Sequence, residues 1–342
     1  MTTPHFEIRP SIIKGDPADT YLHWTKEIMR LESLNPRVLI DFFAEKDGVL
    51  CGIEEAKALL VNVLPKIEQD NNEVIVSDVE IWCLEEGQSF RAGEPVLRII
   101  ANYASVVLYE TSLCGMLASS SGWATAAREC VEMAGNATVI TQAARHIHPN
   151  VAHILDYASV IGGCSSVSTV LGSKQSGRNT FGNMPHSLPL IFGDTVSAAV
   201  AFDKHMGREI QRIVVVDTFQ DEAQDSLNVA NVLRDKLRGI RLDTPIERGG
   251  VTPAMVLEVR SRLDLMNFRH VEIYVSGEIT PAKIKEFEAA GAPINGYLVG
   301  DYISSAAPVN FTANILEIEN KPVARRGRVP GRLDGPRLGR FL

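Results

Sequence analysis

Four short apolar runs in the second half of the chain end in residues able to grip a phosphorylated sugar. Val214-Val215-Val216 leads into Asp217-Thr218, and Gly239-Ile240 into Arg241-Leu242-Asp243-Thr244. Ile273-Tyr274-Val275 leads into Ser276-Gly277-Glu278, and Tyr297-Leu298-Val299 into Gly300-Asp301. Asp217 and Asp243 offer carboxylates for ribose hydroxyls or for Mg2+, whose preferred ligands are oxygens. Ser276-Gly277 and Gly300 open tight turns or helices, where free backbone N–H groups bind phosphate oxygens. Glycine suits such places because a Cβ would block close approach. Arg241 and Arg145 supply planar, permanent charge for phosphate or carboxylate. Any one of these residues alone is as consistent with a helix N-cap as with a site; their recurrence at successive strand ends is the signal.

The elements that must position them follow from the spacing. Apolar runs of about five residues fall at Thr138–Gln142, Ala158–Gly162, Ile213–Asp217, Gly239–Asp243, Val271–Ser276 and Gly296–Gly300, with a less regular one near Gly182–Leu190. Helices are predicted over Asp221–Leu237, Pro253–Leu263 and Pro281–Ala290. Alternating strands and helices imply a parallel sheet. Six or seven such units in this length favour a barrel over a doubly wound open sheet, and the strand C-termini of a barrel share one mouth. Before about residue 120 the rhythm differs. Helices are predicted over Tyr21–Leu34 and Gly52–Leu64, and strands over Leu39–Ala44, Val74–Leu84 and Gly93–Ala101, with a turn at Glu85-Glu86-Gly87. A helix over Glu110–Ala118 is expected to break at Ser119-Ser120-Ser121-Gly122 and restart at Trp123.

Composition narrows the function classes. A net charge of -8 argues against nucleic acid as partner, since phosphate backbones demand clustered Lys and Arg. No apolar stretch approaches the roughly 20 residues that span a membrane, and the N-terminus lacks a secretory pattern. Five cysteines without a C-x-x-C pair read as reduced thiols in a cytoplasmic protein with no zinc. Residues 321–342 run basic, with Lys321, Arg325, Arg326, Arg328, Arg332, Arg337 and Arg340 against only Asp334. This is either a solvated tail or a basic strand closing over a phosphate-rich site.

From about Asp19 to Gly327 the chain resembles the nicotinate phosphoribosyltransferase family in its short archaeal and bacterial form. The segments that carry the likeness include DTYLHWTKEI, KDGVLCGIEEA, YETSLCGMLASSSGWATAA, IGGCSSVSTVLGS, GNMPHSL, VVDTFQDE, RLDTPIERGGVTP, VSGEITPAKI and VGDYISSAAPVNFTANI, in order. Quinolinate phosphoribosyltransferase shares the fold and some strand-end motifs. The resemblance implies an N-terminal α/β sandwich over residues 1–120, completed by 312–342, and an irregular parallel α/β barrel over 121–311. It implies transfer of phosphoribosyl from phosphoribosyl pyrophosphate to the ring nitrogen of nicotinate in NAD salvage. Mg2+ assists that reaction, and ATP hydrolysis can drive it through a phosphorylated histidine. It also implies a dimer or larger homo-oligomer with a shared site, small-molecule substrates, and neither nucleic acid nor membrane as partner.

Carried onto this chain, His186 falls at the phosphorylatable histidine and Lys174 in a phosphate-associated stretch. Tyr21 would stack on the base from the partner subunit. Arg145, His146 and Arg241 would bind phosphate or carboxylate; Asp217 and Asp243 would hold ribose or metal; Ser276, Gly277 and Gly300, with Asp301 beside them, would cradle the 5′-phosphate. The chain departs from the family at the base pocket. Ser-Phe-Gly-x-Arg-Arg becomes Thr141-Gln142-Ala143-Ala144-Arg145-His146, so Gln142 replaces an aromatic and His146 an arginine. A glutamine forfeits about 0.5–1.5 kcal/mol of ring stacking, and a histidine is a weaker carboxylate anchor near neutral pH. Ser165 stands where the family has an acid, Asn183 where it has a threonine and Glu278 where it has a glycine, while Asp301 adds an acid at the cradle. These departures leave room for a relative with another acceptor base, such as quinolinate or a different pyridine, or for a catalytically silent nucleotide-binding homologue.

Overall fold

The computed structural model describes residues 6–64, 66–69, 72–75 and 78–342. The chain forms two compact units, one of residues 1–125 with 306–342 and one of residues 126–305.

The first unit is an α/β sandwich built on a six-stranded antiparallel sheet. Its order is Lys321–Pro322, Phe311–Ile318, Arg37–Ala44, Pro95–Asn102, Glu80–Cys83 and Gly339–Arg340. The two central strands are almost wholly buried. Asp41 and Arg98 face each other across them as a bidentate pair at 2.6 and 2.8 Å. Arg98 also donates to the carbonyl of Leu333 at 2.6 Å, which ties the C-terminal segment to the sheet centre. Several of that segment's arginines are engaged within the same unit, while Arg325 and Arg326 are exposed. Arg337 pairs with Glu94 at 2.7 Å, Arg340 lies over the Trp82 ring and Arg328 over Phe43. The basic segment is therefore anchored on the first unit rather than a loose tail; its Gly339–Arg340 strand forms the sheet edge.

One expectation about local structure fails here. Residues Glu110–Met133 form one unbroken helix, so Ser119–Gly122 is not a break. The small residues serve close packing instead. A Cβ on Gly122 would stand 2.6 Å from the Ala307 carbonyl oxygen, and the Ser121 hydroxyl accepts from the Cys51 amide. Residues 76 and 77 of the expected strand Val74–Leu84 lie outside the described residues; Glu80–Cys83 is a strand as expected.

The second unit carries five parallel strands, β1 (Thr138–Thr141), β2 (Arg212–Val215), β3 (Leu237–Leu242), β4 (Glu272–Val275) and β5 (Gly296–Val299), in the order β1-β5-β4-β3-β2. Two extended segments close the ring irregularly. Ser165–Val167 bonds to β1, residues 179–181 bond to Val167, and the Met184 amide donates to Ile213 of β2. The result is an irregular parallel α/β barrel. The run Ala158–Gly162 is not one of its staves: it ends the helix Ala152–Gly162, and Gly163 at φ +116° caps that helix. Apolar periodicity cannot separate a helix buried on most sides from a buried strand.

Inside the ring Ile140, Ile213, Tyr274 and Leu298 pack together, with Phe181 against Tyr274 at 5.2 Å between ring centroids. Two glycines make room for the tyrosine. A Cβ on Gly239 would lie 3.0 Å from the Tyr274 ring, and one on Gly296 would lie 2.9 Å from it. Outer helices start on side-chain caps: Asp221 for Glu222–Leu233, Thr252 for Pro253–Leu265 and Thr280 for Pro281–Ala289. In the last two a proline follows the cap, where its missing N–H costs nothing.

Candidate active site

The C-terminal ends of β2, β3 and β4 and the segment before Ser187 converge on one constellation. His186 Nε2 lies 3.2 Å from Asp243 Oδ2 and 3.7 Å from Asp217 Oδ2, and its Nδ1 lies 3.2 Å from the Thr218 hydroxyl. Arg241 Nη2 is 3.4 Å from Asp243 Oδ2. A Cβ on Gly277 would sit 3.5 Å from Asp243 Oδ1, which places the Ser276-Gly277 turn directly beside the carboxylate. His186, Asp217, Asp243, Arg241, Ser276 and Gly277 are thus brought together.

The electrostatics are uneven. Burial pushes the Asp217 carboxyl up to about 6; the Asp243 charge adds to this, and His186 and Arg241 oppose it. Asp243 is also partly buried, yet its hydrogen bond from His186, the Arg241 charge and Ser276 carry it below the usual carboxylate range. Arg241 is lowered by burial, with Asp243 and Asp217 opposing and Arg145 adding. Both Asp217 carboxylate oxygens and Arg241 Nε are buried without a hydrogen-bond partner. Buried polar atoms are normally satisfied, so three orphans in one mouth call for a polar ligand there.

Other expected residues are placed differently. The Ser276 amide is not free for phosphate, because it donates to the Leu242 carbonyl at 2.9 Å; only its hydroxyl can turn to a ligand. Arg145 and His146 lie exposed in the turn Ala143–His146 after β1. His146 packs on the Gly300 backbone, where a Cβ would approach its Cε1 to 3.1 Å. Asp301 is exposed at the start of the short helix Asp301–Ser304. Lys174 is exposed on the helix Val170–Ser176, and no described contact joins it to the constellation. Tyr21 belongs to the first unit, 59% exposed, with its hydroxyl on Asp19 at 3.1 Å.

Sequence reasoning assigned no role to several residues that the structure draws in. Thr218 orients His186. Thr244 is buried and donates to Glu222 at 2.8 Å, which fixes the backbone next to Asp243. The signal available was the repeated Asp-Thr step at the ends of β2 and β3. Among the described residues no group of three or more His, Cys, Asp or Glu could hold a metal by itself, and no helix is long and apolar enough to cross a membrane.

Comparison with known proteins bears on this arrangement. The model of the quinolinate phosphoribosyl transferase N-terminal domain matches residues 19–121, and that of the C-terminal domain matches residues 123–314. A Mycobacterium tuberculosis protein named nicotinate phosphoribosyltransferase pncB2 is 28% identical over 224 residues, covering 65% of this chain and 47% of that protein. This chain spans about half the length of the curated relatives of that kind. The solved nicotinate-nucleotide pyrophosphorylase of Pyrococcus furiosus is 37% identical with a TM-score of 0.86, covering 97% of this chain and 82% of that one. Human nicotinic acid phosphoribosyltransferase, at 17% identity and a TM-score of 0.73 over 92% of this chain and 77% of that one, shares the fold.

Proposed function

The chain belongs to the quinolinate phosphoribosyltransferase family, and from that premise we propose that it transfers phosphoribosyl from phosphoribosyl pyrophosphate to the ring nitrogen of nicotinate, giving nicotinate mononucleotide for NAD biosynthesis. The observation that carries the reading is the trio of orphaned atoms, the two Asp217 oxygens and Arg241 Nε, gathered within the His186–Asp243 cluster at the barrel mouth. In the reaction the bond from C1′ to pyrophosphate breaks as the ring nitrogen lone pair forms the new bond to C1′. The sugar is oxocarbenium-like in between, so the protein's task is to orient both partners and balance charge rather than to remove a proton.

Asp243 and Asp217 supply the negative charge that favours the cationic sugar and accept from its hydroxyls. Arg241 answers the phosphate charge. His186 holds the Asp243 carboxylate and is held in turn by Thr218. The residues present also fit Mg2+: the Asp217 carboxylate has two unspent oxygens beside the Asp243 carboxylate, and the remaining positions would fall to water and donor phosphates, as this ion prefers. Asp217 and Asp243 would hold it, and it would neutralise charge on the departing pyrophosphate.

A homodimer completes the reading. The helix Thr20–Leu31 exposes Tyr21, Trp24, Ile28 and Leu31 at 59–65% along one face, and an apolar stripe of that kind marks a protein contact.

A second acceptor, quinolinate, is favoured by the name of the matching family and by half-buried Gln142 in place of a stacking aromatic. Forming nicotinate mononucleotide from it also releases carbon dioxide. The test offers phosphoribosyl pyrophosphate and Mg2+ with nicotinate, nicotinamide or quinolinate and follows pyrophosphate release. Release with nicotinate alone supports the proposal, release with quinolinate alone supports the second acceptor, and release with none marks a catalytically silent homologue.

A further inference from the structure

We propose that Lys283 is a phosphate-binding residue of this mouth, its ammonium holding the 5′-phosphate of the phosphoribosyl donor beside the turn Ser276-Gly277-Glu278. The inference deepens the proposed transferase function and rests on it.

Lys283 is the third residue of the helix Pro281–Ala289, and its Nζ lies 3.1 Å from the Gly277 carbonyl oxygen. Helical side chains lean toward the N-terminus of their helix, which in a barrel is the side of the strand C-termini. The ammonium therefore hangs back over the end of β4. On its other side it approaches Gly250, where a Cβ would lie 3.7 Å from Nζ. Gly277 in turn adjoins Asp243, so the lysine is one residue removed from the constellation already described.

Two features separate Lys283 from an ordinary surface lysine. It stands in the first turn of a helix, where the positive end of the helix dipole disfavours a cation. Elsewhere in this barrel unit the first turns that carry charge carry acids, namely Glu222 with Asp225, and Asp301. And although it is only half exposed, no carboxylate among the described residues lies within ion-pair distance of it. An ammonium has three donors, and one carbonyl satisfies one of them. A cation placed against local preference and left with two spare donors beside a tight turn suits an anion that arrives with the substrate.

The placement also answers a charge problem. Glu278, at φ +50°, and Asp301 add carboxylates at turns that would otherwise receive a phosphate. The Ser276 amide is already spent on Leu242. Lys283 supplies positive charge at this turn.

The experiment compares binding of nicotinate mononucleotide, nicotinate riboside (the same compound without its 5′-phosphate) and inorganic pyrophosphate to the full chain, its Lys283→Met variant and its Lys283→Arg variant. Calorimetry gives Kd and thermal unfolding checks the fold. Lys283→Met is expected to weaken the mononucleotide about tenfold or more, the scale of a lost charge-assisted hydrogen bond. Riboside and pyrophosphate should bind as before, and Lys283→Arg should retain most of the affinity. Equal losses for mononucleotide and riboside would mean that Lys283 only braces the turn. A loss confined to pyrophosphate would place the lysine at the leaving group. Either result, or no loss at all, overturns the proposal. Failure of the unaltered chain to bind mononucleotide would remove the transferase reading itself, and this inference with it.

Discussion

Asp217 is the residue whose surroundings demand most explanation, since a carboxylate hidden from water with neither oxygen hydrogen-bonded is costly to keep. Its neighbour Asp243 is partnered on every side, by His186, Arg241 and Ser276. The two carboxyls are thereby driven apart, one up to about 6 and one below its usual range. Such a split is a mark of functional sites. Replacement of Asp217 by Asn should lower kcat/KM on the order of a hundredfold, as loss of a preorganised charge does in other enzymes, with thermal unfolding unchanged or raised. A pyrophosphate-release assay with parallel unfolding scans checks both. Gln142→Phe combined with His146→Arg should lower the KM for nicotinate if Gln142 forms the base pocket; an unchanged KM would place the base elsewhere. Asp217, Arg241, Asp243 and Ser276 were legible because each ends a run of buried strand residues. Lys283 and Thr218 were not. A lysine in a helical segment looks solvent-facing until its first-turn position and its contact with Gly277 are seen, and Thr218 has meaning only once His186 arrives from 32 residues earlier in the chain.

At the scale of elements, the barrel depends on glycines that sequence reasoning did not single out. Gly239 and Gly296 leave the space that the Tyr274 ring fills. Gly296→Val should cost about 1–3 kcal/mol by overpacking, read as a lower urea midpoint at an unchanged slope. In the sandwich unit, Glu86 caps the helix Ile53–Val63 by accepting from the amides of Gly52, Ile53 and Glu54. Nearby Glu55 is raised to about 7 by burial first and then by the Glu86 charge. A carboxyl whose folded pKa exceeds its unfolded value binds more protons when folded, so stability falls as pH rises from the unfolded value near 4.3 through about 7. Glu55→Gln should therefore raise Tm most at pH 8 and progressively less toward pH 4; a constant difference across that range would exclude the linkage. The later barrel helices were legible from Thr-Pro and Asp caps. Ala158–Gly162 was not, because a helix buried on most sides shows the same apolar run as a strand.

For the molecule as a whole, the division into a sandwich and a barrel was visible as a change of rhythm along the chain, whereas the return of the C-terminal segment to the first unit, expected for 312–342 and observed for 306–342, came from the family resemblance and not from the rhythm. Antiparallel pairing of Val38 with Ile318 and of Ala44 with Phe311 leaves no local trace, and the bond from Arg98 to the Leu333 carbonyl that anchors the segment spans 235 positions. The exposed face of Tyr21, Trp24, Ile28 and Leu31 should be covered by a second copy. Trp24→Glu with Ile28→Glu should shift the sedimentation coefficient to that of a monomer, whereas an unchanged coefficient would leave that face without a role in assembly. The most direct test of the barrel mouth as a phosphoribosyl-transfer site is the rate of nicotinate mononucleotide formation from phosphoribosyl pyrophosphate, Mg2+ and nicotinate in the unaltered chain and in Asp243→Asn. Product should form in the first and fall about a hundredfold or more in the second at equal thermal stability. Equal rates in the two proteins would contradict the assignment.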